Sequence, residues 1–211
     1  MRLTDGVFQL FTSVGAEWVL WLLAGLSVAS VMLIIERLLF FSRNRLPDAG
    51  DLLPLLAAGK FDEVRAAVAG RTGLEAEVLA AALAEAVNGP DSVEEVIAGA
   101  IMRHRQPYER YLSFLGTLGN NAPFIGLFGT VIGIIDAFAK LAVGTAAAKG
   151  AGASAVMSGI SEALVATAVG IFVAIPAVVA FNAYNRWLKT ITARTNALGH
   201  AVVAYLKREE R

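Results

Sequence analysis

Three stretches of this chain carry no charged side chain: Trp18–Ile35, Tyr111–Ile135 and Ala163–Asn185. Each meets or approaches the ~20 residues that an α-helix needs to cross a hydrocarbon core of about 30 Å. Composition agrees, with 56% hydrophobic and 17% charged residues and a mean hydropathy of +0.61. Soluble domains run nearer ~45–50% apolar and ~25% charged. The first stretch, WVLWLLAGLSVASVMLII, reads as a signal anchor: it lacks a basic leader and an evident cleavage site. No segment alternates as a half-buried strand does, so the expected fold is an all-α integral membrane protein with three transmembrane helices and long cytoplasmic helical extensions.

The basic residues orient the spans. Arg37, Arg43 and Arg45 follow the first, Arg103, Arg105 and Arg110 precede the second, and Arg186, Lys189 and Arg194 follow the third. Only Arg2 precedes the first span, and only Lys140 and Lys149 lie between the second and third. The positive-inside rule then puts the N-terminus outside and the C-terminus, with residues ~42–110, inside.

The expected division has seven parts. Residues 1–17 form an outer segment, read either as an interfacial amphipathic helix or as a disordered terminus. Residues 18–41 form the first span, 42–110 a cytoplasmic helical region, and 111–142 the second span with an interfacial start. A flexible periplasmic loop at 143–159 leads to the third span at 160–185 and a cytoplasmic helical tail at 186–211. Within the inner region, Gly59 and Gly70 punctuate short amphipathic helices, and Asn88–Gly89–Pro90 stops an alanine-rich one. Ser92 with Glu95 has capping-box spacing, and the helix begun there is expected to run through Arg110 into the second span, kinked at Pro107. The inner region looks too small and alanine-rich for a large core of its own. The tail, with Trp187, Ile191, Leu198 and Val202 near a helical stripe, reads as a solvated amphipathic helix, with packing between subunits as the alternative.

Several chemistries are excluded. Acids and bases balance at 18 each, leaving no basic footprint for nucleic acid. Cysteine is absent and histidine occurs twice, at His104 and His200, which removes thiolate chemistry and multi-histidine metal sites. The glycines of GLFGTVIG lack the Gly-Lys-Ser/Thr of a phosphate loop. No nucleophile–base pair or metal-ligand cluster stands out, so neither an enzyme nor a cofactor is expected.

The second and third spans are lined with small residues: Gly119, Ala122, Gly126, Gly129 and Gly133 on one, Gly170, Ala174 and Ala177 on the other. Such stripes let membrane helices approach closely. Thr130 and Thr167 stand at matched depth, six residues from Asp136 and five from Glu162, or roughly 7–9 Å along each helix. A lone membrane threonine is usually satisfied by its own helix, whereas two at one depth suggest a polar belt. Glu162 reads equally as a solvated interfacial carboxylate or a proton-accessible acid. Asp136 reads as an outer-boundary charge, and Glu36 and Arg37 mark the inner boundary. Pro123 and Pro176 either bend their helices for packing or free carbonyls for hydration. The hydrocarbon interior itself carries no aspartate or glutamate.

The stretches LGTLGNNAPFIGLFGTVIGIIDAF (115–138) and GISEALVATAVGIFVAIPAVVAFN (159–182) resemble the ExbB/TolQ/MotA proton-channel family, particularly its ExbB and TolQ branch. MotA-type subunits are longer and have four spans. The resemblance implies a homopentamer around a central pore, which houses the helices of a single-span ExbD/TolR-like partner dimer. Thr130, Thr167, Glu162 and Asn182 correspond to the family's pore and proton-pathway positions, and the partner supplies the missing acid. Asp136 departs from the family, where a neutral residue is expected. The implied function is a proton-driven motor stator; a passive scaffold and an autonomous channel are the competing readings.

Overall fold

The computed structural model describes residues 15–46, 50–143 and 149–211, and their side chains outside 141–155. Nearly all of the expected N-terminal segment and the first part of the expected outer loop lie outside the described residues. The helices are α1 (Glu17–Arg43), α2 (Leu52–Ala57), α3 (Phe61–Val68), α4 (Leu74–Glu85), α5 (Pro90–Glu109), α6 (Leu112–Val143) and α7 (Lys149–Glu209), with a 3₁₀ turn at Ala86–Asn88. No strand occurs among the described residues. Three segments are long and apolar enough to cross a membrane: Glu17–Arg43, Leu112–Lys140 and Val156–Glu209. The chain divides into two compact units, residues 1–34 with 113–181 and residues 35–112 with 182–211.

In the first unit, α6 and α7 run antiparallel and touch through their small residues. A Cβ added at Gly126 would lie 2.6 Å from the Ala166 carbonyl oxygen, and one at Gly170 would lie 2.6 Å from that of Ala122. Gly129 and Gly133 face the methyl groups of Ala166 and Ala163 at 2.9 and 2.7 Å by the same measure. Lipid supplies no hydrophobic drive between helices, so backbone proximity and dispersion do the work here. Val19 and Leu23 of α1 close the seam by packing with Leu118, Ala122, Val173, Ala174 and Ala177. Trp18 meets Phe128 edge to face, with centroids 6.3 Å apart. Trp21, Phe124 and Phe172 remain exposed, as suits a surface whose solvent is lipid. Both α6 and α7 continue through their prolines. Gly119, whose carbonyl loses its helical donor at Pro123, packs against Val178, consistent with the packing role.

Helix α7 starts at Lys149, so the later part of the expected flexible loop is helical. Alanine has the highest helix propensity, and no proline interrupts the stretch before Pro176.

The second unit shows that the inner region builds its core jointly with the end of α1 and with α7, not independently. Leu56, Val64, Leu74, Leu79 and Leu83 are buried together with Leu198 and Val202 of α7. Phe41, from the end of α1, is fully buried, with ring centroids 5.2 Å from Tyr108, 5.4 Å from Tyr184 and 5.1 Å from Trp187. The tail therefore gives one face to this core, through Ile191, Leu198 and Val202, while its other face stays exposed. The aromatic side chains of Phe41, Tyr184 and Trp187 come from the two flanks of the inner region, which a reading confined to residues 42–110 does not include.

The expected single rod from Ser92 into the second span is also broken. α5 ends at Glu109, and Tyr111 adopts a positive φ of 64°. In a continuing helix the Tyr111 N–H would bond the Pro107 carbonyl. Instead the Arg37 guanidinium donates to that carbonyl at 2.9 Å. Arg37 is buried, paired with Glu36, and lies over the Phe40 ring at 4.6 Å. It is thus a structural cap as well as a boundary charge. The α5 start differs too: Gly89 occupies the N-cap with Pro90 behind it, the favoured first helical position for proline. Ser92 donates instead to Glu85 at 2.6 Å.

Glu75 is buried in this unit. One carboxylate oxygen accepts from the Leu46 N–H at 3.3 Å and the other has no partner. Burial pushes its pKa above the usual 4.5, more than the Leu46 bond and the charges of Arg194 and Arg45 pull it down.

Two outcomes are expected in detergent-solubilised protein. Gly170→Val forces the seam apart and costs about 1–3 kcal/mol, whereas Gly99→Ala, on an exposed helix face with open space around it, gains about 0.5–1 kcal/mol; thermal melts by circular dichroism read both. Because the folded-state pKa of Glu75 is raised, its ionisation weakens the fold as pH climbs from about 4.5 through the folded value. Glu75→Gln should therefore raise Tm at neutral pH, with the gain vanishing below that window.

Candidate functional site

The small-residue seam brings the two predicted threonines into direct contact. The Thr130 and Thr167 hydroxyls hydrogen-bond each other across α6 and α7. Thr130 Oγ1 also lies 3.2 Å from the Gly126 carbonyl of its own helix and 3.2 Å from the Ala163 carbonyl of α7. The contact needs glycine at 126: the Thr167 Cα is 3.0 Å from where a Cβ would stand there. Thr130 is buried while Thr167 is partly exposed.

Each hydroxyl carries one hydrogen and two acceptor lone pairs, which restricts what the pair can do. When Thr130 donates to either carbonyl, Thr167 can donate to Thr130 and offers a third group only its lone pairs. When Thr130 donates to Thr167 instead, the Thr167 hydrogen is free to point outward. Rotation of two hydroxyls thus converts Thr167 from acceptor to donor without moving a heavy atom. No titratable group is required in the seam itself.

The same seam opens into a cavity of about 590 Å³ lined by Glu17, Asp136, Lys140, Ser158, Glu162 and Ala163, among others. Glu162 is exposed there. Lys140 pairs with Asp136 at 2.7 Å, an i,i+4 spacing. The Ala163 carbonyl that Thr130 approaches therefore belongs to a residue lining this polar cavity. Glu162 lines this cavity, Thr130 and Thr167 lie in the adjoining α6–α7 seam, and Asn182 is exposed in the other compact unit. Gly126, Gly129, Gly133 and Gly170 lie on the α6–α7 contact, and Ala174 lies in the adjoining core. No cluster able to hold a metal ion occurs among the described residues.

Sequence reasoning did not place Lys140 and Asp136 together, although their spacing signals the pair. It also did not find the cavity walls from α1, which only packing reveals.

The helices and the hydroxyl seam define a multi-span membrane protein with a polar contact buried between two helices. The chain belongs to the MotA/TolQ/ExbB proton channel family, which its residues 71–197 match. It is similar to the Tol-Pal system protein TolQ of Pseudomonas aeruginosa, 40% identical over 124 residues that cover 57% of this chain and 52% of the relative. It is also similar to the biopolymer transport protein ExbB of Xanthomonas campestris pv. campestris, 35% identical over 118 residues, 56% of this chain and 45% of the relative. TolQ of Haemophilus influenzae is 45% identical over 100 residues, 44% and 42% of the two chains. The matched stretch spans about half the length of these curated relatives.

A double-mutant cycle tests the hydroxyl contact. Thr130→Val and Thr167→Val should each destabilise the solubilised protein, and their coupling should fall near ~0.6 kcal/mol and below about 2, the range of hydrogen bonds between membrane helices. Purely additive unfolding free energies would show that the two hydroxyls do not share a bond.

Proposed function

We propose that this chain is the stator-type subunit of a proton-motive-force-driven motor in a bacterial inner membrane. Five copies surround a pore occupied by a dimeric, single-span ExbD/TolR-like partner, and proton flow is coupled to mechanical work on an envelope client. The N-terminus is periplasmic and the C-terminus cytoplasmic, as the basic residues beside the spans favour. The names of the similar proteins, a Tol-Pal system protein and biopolymer transport proteins, support an envelope setting.

The observation that carries this reading is the Thr130–Thr167 pair beside a polar cavity, in a proton-channel family member whose spans hold no deep carboxylate. A carboxyl that cycles between protonated and ionised states alternately donates and accepts a hydrogen bond. Thr167 can answer both states by hydroxyl rotation alone, so a partner's acid keeps a bond in each. An unpaired polar group in the membrane costs several kcal/mol, and this exchange of roles avoids that penalty at either protonation state. Glu162, exposed at the cavity, would hand protons between water and the guest acid. Asn182 is assigned to the same proton pathway by the family resemblance alone.

The decisive variant is Thr167→Val, which keeps side-chain shape and deletes the hydroxyl. Five-fold assembly, read by native mass spectrometry, should persist while proton-gradient-dependent client activity is lost, and Thr167→Ser should retain it. Normal activity in Thr167→Val sinks the hydroxyl role. Client function that survives dissipation of the gradient identifies a passive scaffold, and proton conduction by purified protein without a partner identifies an autonomous channel.

A further inference from the structure

The second unit holds a cavity of about 470 Å³ lined by Arg45, Glu75, Arg186, Trp187, Thr190 and Arg194, with Ala183 and Ile191 completing it. Its volume lies within the range of small-molecule sites. The three arginines reach it from different parts of the chain: Arg45 from just beyond α1, and Arg186 and Arg194 from α7. The ion pairs among the described residues use Arg37, Arg65, Arg105, Lys60, Lys140 and Lys207 instead. Three arginines therefore line the cavity with no ion pair within 4 Å among the described residues, and Glu75 is the acid whose charge Arg194 and Arg45 feel there.

A second observation is independent of that charge. Glu75 is only 1% exposed, lines this cavity, and has one carboxylate oxygen with no hydrogen-bond partner. A buried acceptor left unpaired is costly, and a ligand bringing a donor would remove that cost.

We propose that this cavity binds a phosphate-bearing anion that also carries a hydrogen-bond donor, with Arg45, Arg186 and Arg194 on the phosphate oxygens and Glu75 accepting from the donor. Guanidinium forks match phosphate oxygens in pairs, and three of them exceed what the two oxygens of a carboxylate can occupy. The donor is the P–OH of a free phosphate, or the hydroxyl or ammonium of a phospholipid headgroup. Trp187 and Ile191 give the site an apolar wall beside the end of the third charge-free stretch, a setting common to tryptophans at membrane interfaces. This assignment stands whether or not the motor reading does, because it uses neither the threonines nor proton flow.

The test uses the full chain. One arm titrates inorganic phosphate into detergent-solubilised protein by calorimetry. The other measures lipid retention by native mass spectrometry, after release from nanodiscs containing equal phosphatidylglycerol and phosphatidylcholine. Phosphatidylcholine has the phosphate but no donor, so the wild type should retain phosphatidylglycerol preferentially. Saturable binding in the first arm alone assigns the site to soluble phosphate, and in the second alone to a headgroup; either supports the proposal. Arg186→Gln and Arg194→Gln should each weaken binding about tenfold or more, Glu75→Gln should narrow the preference between the two lipids, and the exposed Arg103→Gln should change neither. Arg45→Gln serves if either α7 variant fails to assemble. Absence of saturable binding in both arms, or binding that these arginine variants leave unchanged, overturns the proposal.

Discussion

Close approach of α6 and α7 is the constraint on which the rest of the first unit depends. Two helices can place their backbones in contact only where neither carries a side chain of any size, and Gly126, Ala166 and Gly170 meet that condition at successive turns. The proximity lets a threonine on one helix reach both a hydroxyl and a carbonyl on the other. A larger residue at 126 would separate Thr130 from Thr167 and leave each bonded only within its own helix. Packing and polar chemistry therefore share one set of residues, and selection on either would preserve the same glycines.

The polar groups are arranged so that ionisable ones stay at the edge. Asp136, Lys140 and Glu162 line a cavity, while the seam beside it offers only hydroxyls and main-chain carbonyls. A hydroxyl costs far less to bury than a carboxylate and still works as donor or acceptor. Asp136 lies partly neutralised by Lys140, which reduces the negative field that an unpaired acid at this cavity would create.

The second unit shows a different economy. Its short helices are alanine-rich, and its bulk is supplied by Phe41, Tyr108, Tyr184 and Trp187, which meet from three separated stretches of chain. Arg37 ties one of these stretches to the Pro107 carbonyl that the turn at Tyr111 leaves open. One guanidinium accordingly ends α5 and lets a new helix begin at Leu112. The unit also carries a cationic cavity and an unsatisfied buried acid, features that a purely mechanical extension would not need.

Helix content, the three apolar segments and the small-residue stripes were legible in the sequence because each is a local property: charge absence and three- or four-residue spacing survive without knowledge of the partner helix. The matched depth of Thr130 and Thr167 was legible for the same reason, since helical rise converts residue counts into distance. Direct contact between the hydroxyls was not, because it depends on the rotation of two helices about their axes. The break at Tyr111 escaped for a related reason. Pro107 announces a weak point, but the group that stabilises the open carbonyl stands seventy residues earlier in the chain. The core of the second unit, the gathering of Arg45, Arg186 and Arg194 around Glu75, and the cavity beside the seam are all products of long-range packing. Nothing in the local pattern of an arginine beside a span distinguishes a topological marker from a cavity wall; only the tertiary structure, which sets what lies opposite each side chain, makes that distinction.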